Sequence, residues 1–382
     1  MSKLRATDID LPALLATLRQ WVEIETPTPD GARVNDLARL VEARALASGL
    51  HVERTAGQGG FGDILTVRSM AKTPASNRRS VLVLAHLDTV HPVGTLAGPL
   101  PWREEDGRIY GPGIYDMKAG ALMALHALEL VTSRAGDSPP DITLMFVPDE
   151  EMGSPTSRGA IESAARGADA ALVVEPAREG GKIVVARKGV AMFDITVRGR
   201  ASHAGTRPQD GRSAIRAAAR IVLALEALND PERGVTVTVG MIEGGTGRNV
   251  IPALCRLSVD ARLPDAASEA DILEKIRTIE TGDPEISVTV EGGINRPAYV
   301  QSDAAKALFE TAHALAADLG IDLVGMATGG GSDGNFTAAL GVPTLDGLGA
   351  DGAGAHTSEE YILVDSVAPR TALLANLLDA IA

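Results

Sequence analysis

The chain has 382 residues, 45% apolar and 23% charged, which suits two or three domains with a sizeable core and excludes intrinsic disorder. Its 36 Lys and Arg against 50 Asp and Glu leave a net charge of −14, the wrong sign for a phosphate-backbone binder. With 2 Trp, 4 Tyr and 5 Phe it lacks the rings for a nucleic-acid stacking surface, and its single cysteine, Cys255, excludes a disulfide framework or a thiolate-rich zinc site.

The first eight residues show no apolar core with a cleavage site, and no apolar run approaches the ~20 residues that span a bilayer. A soluble, cytoplasmic protein with neither membrane nor nucleic-acid partners is expected. Apolar residues at helical spacing (Leu11, Leu14, Leu15, Leu18, Trp21, Val22) predict a helix over 11–24, and the pattern repeats over 33–47. A low-complexity loop covers 71–80. Then come three short, almost continuously apolar runs, 81–85, 142–147 and 170–174, which suit strands buried on both faces. Helix formers over 118–131 and 156–165 lie between them. Strands alternating with helices imply a largely parallel, helix-covered sheet.

A second texture begins near Gly189. A more exposed strand over 190–197 precedes a helix (211–228), two strands (235–239 and 255–263), a helix (267–281) and a strand (285–290). The order β-α-β-β-α-β is that of the ferredoxin-like split unit. After Pro297 the first texture returns, with helices over 303–319 and 365–382. The expected architecture is one α/β domain (1–188 and 297–382) interrupted by a smaller α+β domain (189–296).

Five segments concentrate carboxylates and imidazoles, mostly after strands, where open α/β sheets place ligands. In Ala85-His86-Leu87-Asp88, residues two apart point to one side, so His86 suits a metal with Asp88 supporting it; a surface His-x-Asp is the plainer reading. Asp116, in Gly111-Pro112-Gly113-Ile114-Tyr115-Asp116-Met117-Lys118, reads as a helix N-cap or as a ligand at a tight bend. The run Asp149-Glu150-Glu151 ends a strand, and adjacent acids repel unless a cation, protons or solvent offset them. Glu175 ends the next strand, and His356 lies in Gly354-Ala355-His356-Thr357-Ser358-Glu359-Glu360-Tyr361. Taken together, two His, one Asp and two Glu, with a spare Glu, match the donors of a two-metal hydrolytic centre.

On these motifs the sequence resembles the aminoacylase/carboxypeptidase family of co-catalytic di-zinc hydrolases, from about residue 10 to the C-terminus, and within it the glutamate-carboxypeptidase branch. The resemblance implies a zinc-peptidase-type catalytic domain and an inserted dimerisation or lid domain. It implies that His86, Asp116 and Glu175 hold one zinc and that Asp116, Glu151 and His356 hold the other, Asp116 bridging. Two Zn2+ per subunit are expected, with Co2+ or Mn2+ as alternatives. Asp88 would orient His86, and Glu150 would be the general base that takes a proton from the water between the metals. The Asp116-Met117 bond matches the family's cis peptide, although some relatives have Asp where Met117 stands.

In the inserted segment, His203 resembles the histidine that reaches the partner subunit's active site and stabilises the oxyanion, which implies a homodimer; a loop histidine is the alternative. Asn249 matches a substrate-side residue, and Arg262 the arginine that takes the substrate's free carboxylate. The turn Asn295-Arg296-Pro297-Ala298-Tyr299 and the glycine loop around Gly330 resemble the glutamate-carboxypeptidase branch, with Arg296 favouring a second negative charge. No Gly-Lys-Ser/Thr follows those glycines, so a nucleotide site is not expected. The expected activity is hydrolysis of an amide bond beside a free carboxylate, in a small peptide or N-acyl amino acid. N-acyl-amino-acid deacylation and dipeptidase activity compete with it. A non-catalytic binding protein is disfavoured because the base and all five ligand positions are present.

Overall fold

Residues 2–69, 79–136 and 139–381 are described by the computed structural model, so most of the loop read over 71–80 lies outside the described residues. The described residues fall into two compact units, Met1–Ala186 with Gln301–Ala327 and Ser332–Ala382, and Arg187–Val300 with Thr328–Gly331.

The first unit is built on a six-stranded sheet in the order His51–Thr55, Ile64–Arg68, Asp141–Val147, Ser80–His86, Ala170–Val173, Thr344–Leu345. The last four strands run parallel; the first two pair antiparallel, so the sheet is mixed. Strand period two explains why the central runs are apolar throughout. Val81, Val83 and Ala85 face the larger core with Ile142, Leu144 and Phe146, while Leu82 and Leu84 face a smaller core with Met145, Val147 and Ile161. Each such fully buried Val, Leu, Ile, Phe or Met side chain contributes ~1.5–3 kcal/mol. The larger core is completed by helices Leu11–Val22, Gly31–Ala47, Ala119–Ala135 and Val364–Ile381, the smaller by Arg158–Ala165. Among the described residues no helix is long and apolar enough to cross a membrane.

The second unit has the expected ferredoxin-like order. Strands Gly189–Arg198, Thr236–Gly244, Leu254–Leu263 and Ser287–Arg296 alternate with helices Ala214–Glu226 and Ala266–Arg277. The second strand in chain order pairs with the third, the third with the first and the first with the fourth, all antiparallel. Its core lies between one sheet face and the apolar stripes of both helices, with Cys255 buried inside.

Candidate metal centre

The parallel register assembles most of the site. His86 ends its strand opposite Val147, three residues before Glu150, and Leu84 is level with Val173, two before Glu175. The three carbonyl ends therefore deliver an imidazole flanked by acids from both neighbouring strands. Ligand atoms of His86, Glu150 and Glu175 lie within 4.8 Å of one another, as do those of His86, Asp116 and Glu151.

Asp116 comes from the loop after Arg108–Tyr110, just before helix Ala119–Ala135, across the expected cis bond to Met117. Two glycines let it approach. Gly113 has φ 67°, and a Cβ there would come 2.3 Å from Thr89 Cγ2. A Cβ on Gly120 would stand 2.0 Å from the Val174 carbonyl oxygen, so only glycine lets the helix start beside Glu175. His356 is on the loop between Gly352–Ala353 and Tyr361–Leu363, and the latter strand pairs with Arg108–Tyr110. That pairing brings His356 to the Asp116 bend.

Asp116 stands between the two imidazoles. Its Oδ1 is 3.3 Å from His86 Nε2, and its Oδ2 is 3.3 Å from His356 Nε2. Glu175 Oε1 is 3.8 Å from His86 Nε2, and Glu151 Oε2 is 3.1 Å from His356 Nε2. His86 Nδ1 faces the Asp88 carbonyl at 2.9 Å and its Oδ1 at 3.4 Å; both are acceptors, so Nδ1 carries a proton and Nε2 faces the acids. The buried Asp88 carboxylate also accepts from the Thr28 hydroxyl and from the backbone N–H groups of Glu150 and Glu151. It thereby ties the acidic loop to the histidine strand.

The electrostatics are those of a carboxylate cluster short of positive charge. Burial alone would raise Asp116, but His356 and His86 hold it well below the usual carboxylate range. Burial, with the carboxylates of Asp116 and Glu150 nearby, pushes Glu175 well up; burial and Asp116 raise Glu151 against the pull of His356. Burial would lower His86, but Asp116 and Asp88 push it well above its ordinary value; Asp116 and Glu151 push His356 up to about 10. Asp88, Asp116, Glu150, Glu151 and Glu175 surround only two imidazoles, so protonating both rings still leaves excess negative charge. Glu151 Oε1 is buried with no hydrogen-bond partner among the described residues, a costly state for a carboxylate oxygen that a cation would relieve. An oxygen and imidazole donor set without thiolate fits Zn2+, Co2+ or Mn2+.

The remaining residues singled out in the sequence lie in the second unit. His203 and Asn249 are neighbours on a two-stranded ribbon, in which His203 pairs with Val250 and the Asn249 carbonyl accepts from Ala204 N–H. His203 is exposed, and its Nδ1 accepts from the N–H groups of Gly205 and Thr206 at 3.2 and 3.1 Å. The glycine loop receives the arginines: Arg262 Nη1 lies 3.4 Å from the Gly329 carbonyl oxygen, and a Cβ on Gly331 would be 2.6 Å from Arg296 Cδ. Arg187, which the sequence reading passed over, is buried and donates to the Gly330 and Gly331 carbonyls. The Arg262 fork is held by Asp260, at 2.8 Å from Nε and 2.9 Å from Nη2. Arg296 is buried.

Other residues within the motifs have structural roles that the sequence does not assign. Glu360 is buried against the Asp116 loop, and Asp149 ties down the segment after the acidic run through Thr156 and Ser157. Lys118 is buried and donates to the Ile24 carbonyl.

Comparison with known proteins agrees with this picture. The model of peptidase family M20/M25/M40 matches residues 82–380. Carboxypeptidase G2 of Pseudomonas sp. (strain RS-16) is 32% identical over 98% of this chain and 90% of its own length. Acetylornithine deacetylase of Myxococcus xanthus is 32% identical over 70% of this chain and 72% of its own. In fold, the aminopeptidase PepT of Bacillus cereus superposes with a TM-score of 0.77 at 23% identity, covering 98% of this chain and 99% of that one. By the extent of these matches, the chain belongs to peptidase family M20/M25/M40, a family of metal-dependent hydrolases of peptide and amide bonds.

Proposed function

We propose that the protein is a glutamate-carboxypeptidase-like hydrolase that cleaves an amide bond next to a free carboxylate with two divalent ions. His86, Asp116 and Glu175 would hold one, and Asp116, Glu151 and His356 the other. The observation that carries this reading is the placement of Asp116, one oxygen toward each histidine, with a glutamate beside each ring. A bound pair of divalent ions supplies Lewis-acid polarisation of the scissile carbonyl and lowers the pKa of water toward ~7.

The chain's own groups do the rest. Glu150 accepts the proton of the attacking water and returns it to the leaving nitrogen. Glu151, engaged as a ligand, cannot exchange protons freely. Asp88 holds His86 and the N–H groups of Glu150 and Glu151 in one frame. Because His203 Nδ1 accepts two backbone N–H bonds, its Nε2 carries the proton and suits an oxyanion donor. That role belongs to the partner's site in a homodimer joined through the inserted unit, about 189–296. Arg262 meets the α-carboxylate by exchanging its Asp260 partner, Arg296 favours a second carboxylate, and Asn249 and Gly330 complete the substrate side.

The 32% identity to an acetylornithine deacetylase supports a second reading, deacylation of N-acyl amino acids. Metal content and amine release from N-acyl-glutamates, N-acetyl amino acids and dipeptides separate the two. Close to two ions per chain, with glutamate released fastest from N-acyl-glutamate and all activity lost to a chelator, is the expected result. Preference for neutral N-acetyl amino acids would overturn the carboxypeptidase assignment in favour of the deacylase.

A further inference from the structure

Beside the ligand set the structure buries another carboxylate–imidazole pair. Glu360 is 0% exposed and His91 7% exposed, and His91 Nε2 is 2.5 Å from Glu360 Oε2. Since a carboxylate only accepts, His91 donates here. The same carboxylate accepts from Gly113 N–H at 3.1 Å, Tyr115 N–H at 2.9 Å and Asp116 N–H at 3.0 Å. An ionised carboxylate is buried at high cost unless its lone pairs are filled, and four donors fill them. Three of the four are backbone groups of the bend that carries Asp116.

The chain path makes the arrangement specific. Glu360 follows His356 by four residues and immediately precedes the strand Tyr361–Leu363. One short segment therefore presents a ligand at one end and grips the bend of the bridging ligand at the other. We propose that Glu360, oriented by His91, is a positioning residue for the Asp116 bridge; the proposal rests on the two-metal reading above. With its backbone held at Gly113, Tyr115 and Asp116, the Asp116 side chain is aimed so that one oxygen serves each histidine. Loss of the grip lets the bend relax, and both metal sites weaken together because they share that side chain. A residue that only filled space would change stability and leave the affinity of the folded protein for metal untouched.

The test is a Co2+ titration of metal-free protein followed by visible absorption, with thermal unfolding of each metal-free form alongside. Wild type is expected to take up two ions. Glu360→Gln leaves an N–H donor facing a backbone donor, and Glu360→Gln and His91→Leu should each weaken both Co2+ sites by roughly 10–100-fold. His91→Gln keeps a donor within reach of Glu360 and should restore most of that affinity. Should Glu360→Gln fail to fold, His91→Leu against His91→Gln makes the same comparison. A two-ion wild type whose Co2+ affinities are unchanged in the folded variants would overturn the proposal alone. A wild type that takes up fewer than two ions would overturn the two-metal reading and this proposal with it.

Discussion

Replacing Glu150 by Gln keeps the size and shape of the side chain and removes its capacity to accept a proton. The backbone N–H of Glu150 stays 3.3 Å from Asp88 Oδ1, so the acidic loop keeps its anchor. Glu151, by contrast, has one oxygen 3.1 Å from His356 Nε2 and the other buried without a partner among the described residues, the mark of a residue that needs a cation. Removing a general base costs ~10²–10⁴ in rate. At 1.36 kcal/mol per decade that raises the barrier by about 3–5 kcal/mol. Glu150→Gln should therefore lower kcat by this factor on an N-acyl-glutamate while the metal content of dialysed protein stays near wild type. Glu151→Gln should lose metal from the site it shares with His356. Steady-state kinetics with parallel metal analysis reads both. Metal loss in Glu150→Gln with retention in Glu151→Gln would reverse the two roles.

If His203 serves the partner's site, His203→Ala and Glu150→Gln homodimers should each be nearly inactive, and mixing them under subunit exchange should recover activity; a fully active monomer would exclude the arrangement. Substrate charge is tested by kcat/KM, with N-acyl-glutamate expected to exceed N-acyl-leucine by about 10–100-fold. Arg262→Ala should impair all carboxylate substrates, Arg296→Ala should erase only the acidic preference, and Asp260→Asn should lower KM by removing the competing charge. Away from the site, burial would raise Glu129, but hydrogen bonds from His126 and Arg44 bring it down to about 2 from 4.5. A depressed carboxylate stabilises the fold above its unfolded pKa and loses that contribution as pH falls through 4.5 toward 2. Glu129→Gln should thus cost about 1–2 kcal/mol at pH 7, the full shift being discounted for partial exposure, and the gap in urea melts should narrow below pH 4.5.

Much of the fold was legible because the central strands are buried on both faces and announce themselves as apolar runs. The antiparallel edge was not. His51–Thr55 is half exposed and polar, and Ile64–Arg68 is too short to tell from a helix turn by its pattern. The inserted unit was readable from the order of its elements, since ferredoxin-like topology follows from that order. Its last strand, Ser287–Arg296, runs past the expected 285–290 because Glu291-Gly292-Gly293 and Asn295-Arg296 carry little apolar or β-branched signal. At the site, separate motifs pointed to one chemistry, but the sequence could not weigh Glu359 against Glu360. Both stand in the same acidic pair, one exposed and one fully buried, and only tertiary packing tells them apart. The same holds for Arg187 and Lys118, whose burial contradicts their residue type. Arg262 stood out in the sequence, while the hold of Asp260 on it needed the side-chain geometry.

Everything proposed for the site turns on Asp116 bridging two metal ions. The bridge is tested most directly by a crystal structure of the Zn2+-loaded protein with anomalous data collected above and below the zinc edge. Two peaks about 3.5–4 Å apart are expected, one flanked by His86 and Glu175 and the other by Glu151 and His356, with Asp116 between them. A single peak at full zinc loading, or two peaks without a shared Asp116, would contradict it.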